Sequence, residues 1–179
     1  ELTRGNVRTA ALIQRVSLRY AGNWRSILGS GSQWELYILS MCLVTDVELS
    51  PDDAVELDAR AVRARATSLL REILSDPAPR QRDIPTLMAF AAAVGLSAVA
   101  AEDAGSDRRA VGAELVATAL AVGTNQTCRL LSHDYLRSRT ERLDARALAQ
   151  AEERIRSLDR GGLVAHAADL AGRLAGEVG

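Results

Sequence analysis

The chain has 179 residues, of which 47% are hydrophobic and 25% charged, and its formal net charge is −1. That length can bury a substantial core, and that charge gives no overall field drawing the chain to nucleic acid or membrane. All 22 basic residues are arginine, which excludes lysine chemistry, Schiff bases and the phosphate-binding P-loop included.

Aromatics make up only 3%, so the core must come from Ala, Leu, Val and Ile, a composition that favours closely packed helices. In chain order, the spacing predicts a first helix over about 4–20 with Leu12, Ile13, Val16 and Tyr20 on its apolar face. Glycines at 22, 29 and 31 interrupt it. The next segment, QWELYILSMCLV, is apolar nearly all round and long, and reads as a buried helix over 33–45. A third helix is expected from Ser50 as N-cap and Pro51 at the first position, with Asp52, Asp53, Glu56 and Asp58 near its positive end. Its stripe of Val55, Ala59, Val62, Ala66, Leu69 and Ile73 keeps heptad spacing and faces a neighbouring helix.

The proline-rich DPAPRQRDIP at 76–85 breaks the pattern. After it comes the most apolar run, TLMAFAAAVGLSAVAA, too short to span a bilayer and expected as a buried helix over about 84–102. A helix capped by Ser106 should run to Val122 and resume past a kink at Gly123 to about Arg139. Asp144 can cap the next, with Ala147, Leu148, Ala151, Ile155 and Leu158 inward and Gly161-Gly162 at its end. A last helix presents Leu163, Ala167, Leu170 and Leu174. With no convincing strand, the fold class is all-α, a six- to seven-helix bundle with an apolar central helix pair. It forms one domain over 1–179, with 1–76 and 84–179 as alternative lobes joined by the Pro-rich 77–85 segment.

Cys42 and Cys128 sit among apolar residues and read as small buried hydrophobes, which places the chain in a reducing, cytoplasmic compartment. No secretory signal is visible, and the start at Glu1 rather than Met leaves room for a segment upstream. His133 and His166 stand outside any metal-ligand spacing, so neither a metal nor another cofactor is expected.

Three groups of residues could carry function. On a continuous helix, Asn125, Arg129, His133 and Arg137 would form one polar stripe, extended by Glu141. Histidine can move a proton near neutral pH and arginine can hold a phosphate. Arg129 followed by His133 resembles the Arg-x(n)-His motif of the HEPN family, helical ribonucleases that work without metal, although three residues intervene here where that family usually has four to six. The resemblance implies that Arg129 holds a phosphate and His133 acts as general acid or base. Second, Arg4, Arg8, Arg15 and Arg19 fall within about 60° on the first helix. No acid stands between Leu2 and Trp34, and the stripe suits an anionic partner: RNA, an acidic lipid surface or an acidic protein. Third, Trp34, Tyr37, Met41, Met88 and Phe90 would line any cavity between the two apolar helices, with Glu35 or His133 as its polar anchor. Glu35 must then be paired to an arginine or carry a raised pKa.

The expected function is a non-catalytic helical binding module that recognises a protein partner or small ligand and self-associates through its heptad stripe. Charge disfavours nucleic acid, and no membrane span is expected. The alternative is a small helical enzyme acting on RNA or a phosphorylated substrate through Arg129 and His133.

Overall fold

A computed structural model of the chain describes residues 31–49, 58–76, 83–102, 104–124 and 128–176, with Thr9, Leu12, Ile13, Val16 and Ser17. Arg4, Arg8, Arg15 and Arg19, the expected cap at Ser50 with Pro51, most of the Pro-rich break, and Asn125 lie outside the described residues. Among the described residues, after the helical Thr9, Leu12, Ile13, Val16 and Ser17, six helices follow one another: α1 (Gly31–Glu48), α2 (Ala59–Ser75), α3 (Ile84–Ala100), α4 (Ser106–Val122), α5 (His133–Ile155) and α6 (Arg160–Gly176), with a 3-10 turn at Arg129–Leu131. Among the described residues there is no strand.

Local chemistry sets the helix ends. Asp58 Oδ1 accepts from Ala61 N at 2.9 Å and starts α2, and Asp83 likewise accepts from Thr86 N and Thr86 Oγ1 to start α3. The residue before α4 is Gly105, and Ser106 makes no cap bond. At the other end Gly123 adopts φ +104°, and its N–H reaches back to Ala119 O. That left-handed backbone stops α4, because only glycine takes it without strain. The expected continuation through Gly123 to Arg139 is therefore a capped stop, a 3-10 turn and a fresh start, with Ser132 Oγ accepting from Tyr135 N.

α5 is itself folded at Asp144, whose backbone leaves the helical region at φ −159° and ψ 81°. Asp144 Oδ1 accepts from Ala147 N at 2.9 Å, the cap expected from the sequence. Across the fold Arg137 Nη1 meets Glu152 Oε1 at 2.6 Å. Fifteen residues of straight helix would hold those side chains' backbones about 22 Å apart. Gly161 and Gly162 open α6 rather than close α5, with Gly162 N bonded to Asp159 Oδ1 at 2.7 Å.

α3 lies at the centre, buried without interruption from Leu87 to Val99. α4 packs most closely on it, while α1, α2 and α5 cover its other sides, and α6 closes against α2 and α4. The α3–α4 approach is made possible by two glycines. A Cβ on Gly95 would stand 2.6 Å from Gly112 O, and one on Gly112 would stand 2.8 Å from Gly95 O. In this way the alanine-rich α3 is matched by close helix approach. In the α2 stripe Val62, Ala66 and Leu69 are buried and Ile73 packs on the core, so this surface is consumed within the chain, where α2 meets α6, α1 and α3. Ala59 is only partly buried, and Val55 lies outside the described residues.

Candidate functional site

The 128–139 stretch divides between two elements. Arg129 is exposed in the 3-10 turn and His133 is the first residue of α5, so the continuous polar stripe does not form. His133 Nδ1 faces Asp134 Oδ1 at 3.6 Å. Arg137 is committed to Glu152 and, at 3.0 Å, to Glu141. On the inner side Tyr135 donates its hydroxyl to Glu48 Oε1 at 2.7 Å, and its pKa is raised by burial and by that bond. Arg139 Nη2 donates to Val47 O at 2.8 Å. These groups fasten α5 to the end of α1.

The aromatic group of the third reading is likewise engaged. Trp34 and Tyr37 stack edge to face at 5.9 Å, and Tyr37 meets Phe90 at the same separation. Met88 is fully buried, and Met41 Sδ lies 3.8 Å from Cys128 Sγ. Glu35 takes Arg65 in a two-point ion pair, Nε to Oε1 at 2.7 Å and Nη2 to Oε2 at 3.1 Å. Of the expected states, the carboxylate takes the one paired to an arginine.

Two buried charges were not singled out in the sequence. Glu114, 8% exposed, is the lone acid in VGAELVATALAV, and that isolation was its signal. Its Oε1 lies 2.7 Å from His166 Nε2 and its Oε2 accepts from Arg154 Nε at 2.7 Å. Arg63, 6% exposed, donates from Nε to Ser97 Oγ at 2.9 Å in the α2–α3 contact. Burial raises the pKa of nearby Asp46, and the positive charge of Arg63 opposes that rise. Its burial makes Arg63 part of the core.

An open cleft of about 490 Å³ lies where the start of α4 meets the fold of α5. Its charged lining is Asp107, Arg109, Asp144 and Arg146, with Gln150 beside them and Ala104, Ala110 and Ala147 keeping it wide. Asp144 spends one oxygen on its cap. Arg109 is steadied by Nη2 donating to Ala101 O at 3.3 Å, and its Nε is buried with no partner among the described residues. Arg65, Arg137 and Arg154 are each taken by a carboxylate, whereas among the described residues no ion pair engages Arg109 or Arg146. Both stand in the first turn or so of a helical segment, where the peptide dipoles add positive potential. Sequence reading missed this cleft because residues 104–110 and 144–150 converge only through the fold at Asp144.

Among the described residues no three His, Cys, Asp or Glu are grouped to hold a metal ion, and no helix is long and apolar enough to cross a membrane. No known protein family, curated protein or solved structure gives a significant match to the chain.

Proposed function

We propose that the chain is a non-catalytic helical binding module whose ligand is small and carries a carboxylate or phosphate, held in the cleft between the start of α4 and the fold of α5. The observation that carries this reading is the pair of arginines, Arg109 and Arg146, that line one cleft and have no carboxylate partner among the described residues. A guanidinium offers a planar fork of donors matched to a carboxylate or phosphate. Asp107 and Asp144 in the same lining favour a ligand that also presents a donor, such as a hydroxyl or amine. His133 and His166 lie outside the lining, which supports recognition rather than proton transfer there.

Isothermal titration of the full chain against a panel of dicarboxylates, amino acids and sugar phosphates tests the reading. A ligand whose affinity drops about tenfold or more in Arg146→Ala supports it, since a charge-assisted bond contributes roughly 1.5–3 kcal/mol. Arg146 is exposed, so the variant keeps its fold. A ligand bound equally well by Arg146→Ala and Arg109→Gln would place recognition elsewhere.

A further inference from the structure

We propose that the first helical segment, which carries Leu12, Ile13 and Val16, docks on an anionic lipid surface. Thr9, Leu12, Ile13, Val16 and Ser17 are helical, and Leu12, Ile13 and Val16 are 47%, 62% and 54% exposed. These are large aliphatic side chains on adjacent turns. Among the described residues they stand outside the buried cluster, whose members come from α1 to α6 and the 3-10 turn. A contiguous apolar face left in water marks a surface made to be covered.

Charge selects what covers it. From Leu2 to Trp34 the sequence has Arg4, Arg8, Arg15, Arg19 and Arg25 and no acid. On the wheel that the sequence alone predicts for 4–20, at 100° per residue, the first four centre about 100° from the centre of Leu12, Ile13, Val16 and Tyr20. A helix with that sequence can lie in the plane of a bilayer with its aliphatic face in the acyl boundary. Its arginines can then bend up to the lipid phosphates along one flank. Tyr20 and both tryptophans of the chain, Trp24 and Trp34, follow directly, and Trp34 is 51% exposed. Amphipathic rings settle at headgroup depth. RNA would satisfy the arginines but offers no apolar phase for Leu12, Ile13 and Val16. A second copy would bring the same positive stripe and repel.

The proposal is independent of the cleft, which shares no residue with this segment. Its test is co-sedimentation of the full chain with vesicles of phosphatidylcholine, alone or mixed with phosphatidylserine. Binding is expected only to the mixed vesicles, weakening with added salt and shifting tryptophan emission to the blue. The triple variant Leu12→Gln, Ile13→Gln, Val16→Gln should lose about tenfold or more in vesicle affinity while keeping its far-UV circular dichroism and melting temperature. Replacing Arg4, Arg8, Arg15 and Arg19 with Gln one at a time should weaken binding about fivefold each, the equivalent of about 1 kcal/mol per charge at an anionic surface. No binding to mixed vesicles at low salt would overturn the proposal, as would full binding by the triple variant. Retention on total RNA or on poly-glutamate without vesicle binding would assign the face to a nucleic acid or an acidic protein, and would overturn it too.

Discussion

Glu114 Oε1 stands 2.7 Å from His166 Nε2, joining the middle of α4 to the middle of α6. The second oxygen takes Arg154 from α5, so one carboxylate ties three helices together. A charge this deep is tolerated because both of its oxygens are occupied. Glu114→Ala deletes both bonds and leaves two polar groups facing the gap, and it should cost roughly 2–4 kcal/mol. His166→Ala leaves the arginine pair standing and should cost about 1 kcal/mol. Urea denaturation measures both. Equal costs would show that the histidine bond, and not the carboxylate, is the tie.

Gly95 and Gly112 set the distance between α3 and α4. A methyl at Gly95 would meet the backbone oxygen of Gly112 at 2.6 Å and Val116 Cγ2 at 2.9 Å. Backbone cannot swing aside as a flexible side chain can, so the two helices must separate. Gly95→Ala should destabilise by about 1–3 kcal/mol or more, against a gain of about 1 kcal/mol expected from helix propensity alone. A rise in melting temperature for this variant would refute the close approach.

Cys42 reports the core through its acidity. Burial, with Asp46 adding to it, pushes its thiol up to about 12, whereas an unfolded cysteine ionises near about 8.5. The folded state therefore favours the neutral thiol. Its contribution to stability is fully present below about pH 8.5 and drains away as pH climbs toward 12. Tyr135, raised by burial and by Glu48, acts in the same direction. Urea midpoints measured from neutral to strongly alkaline pH should fall, and less steeply in Cys42→Ala. At pH near 8 (roughly, below the shifted thiol) a disulfide reagent should label the half-buried Cys128 well before Cys42.

The fold of α5 should be separable from the rest of the bundle. Asp144→Ala removes the cap on Ala147 N and should cost about 1 kcal/mol. Arg137→Ala cuts the pair with Glu152, whose side chains are both partly exposed, and should cost less than about 1 kcal/mol. Because the cleft is built at this corner, Asp144→Ala should also weaken any ligand that Arg146→Ala weakens. If ligand affinity survives Asp144→Ala unchanged while the helix cap is lost, the corner does not shape the site.

The elements of the bundle were legible wherever a local rule sufficed. α3 declared itself as a long apolar run, Asp144 as a cap, and Leu163, Ala167, Leu170 and Leu174 as the inner face of α6, all four buried. Helix continuity through residues 123–132 was misread because a run of helix formers and a helix stop look alike until the glycine's φ is known. At Gly123 that φ is positive. With the helix broken, Arg129 and His133 lost the shared face that spacing had given them. A helical wheel assumes continuity and cannot test it.

By itself the sequence determined the all-helical class and the composition of its core, because periodicity and capping act over four residues or fewer. It also set the positive, acid-free character of the first segment, which is a matter of counting. Only the tertiary structure decided which partner, among the described residues, each charge met. Arg65 is held by Glu35, Arg154 by Glu114 and Arg63 by the core at Ser97, while Arg109 and Arg146 are brought to one cleft from segments far apart in the chain. In a sequence whose basic residues are all arginine, every one of them looks alike. Desolvation and a partner from another helix tell them apart, and both arise only when the chain is packed.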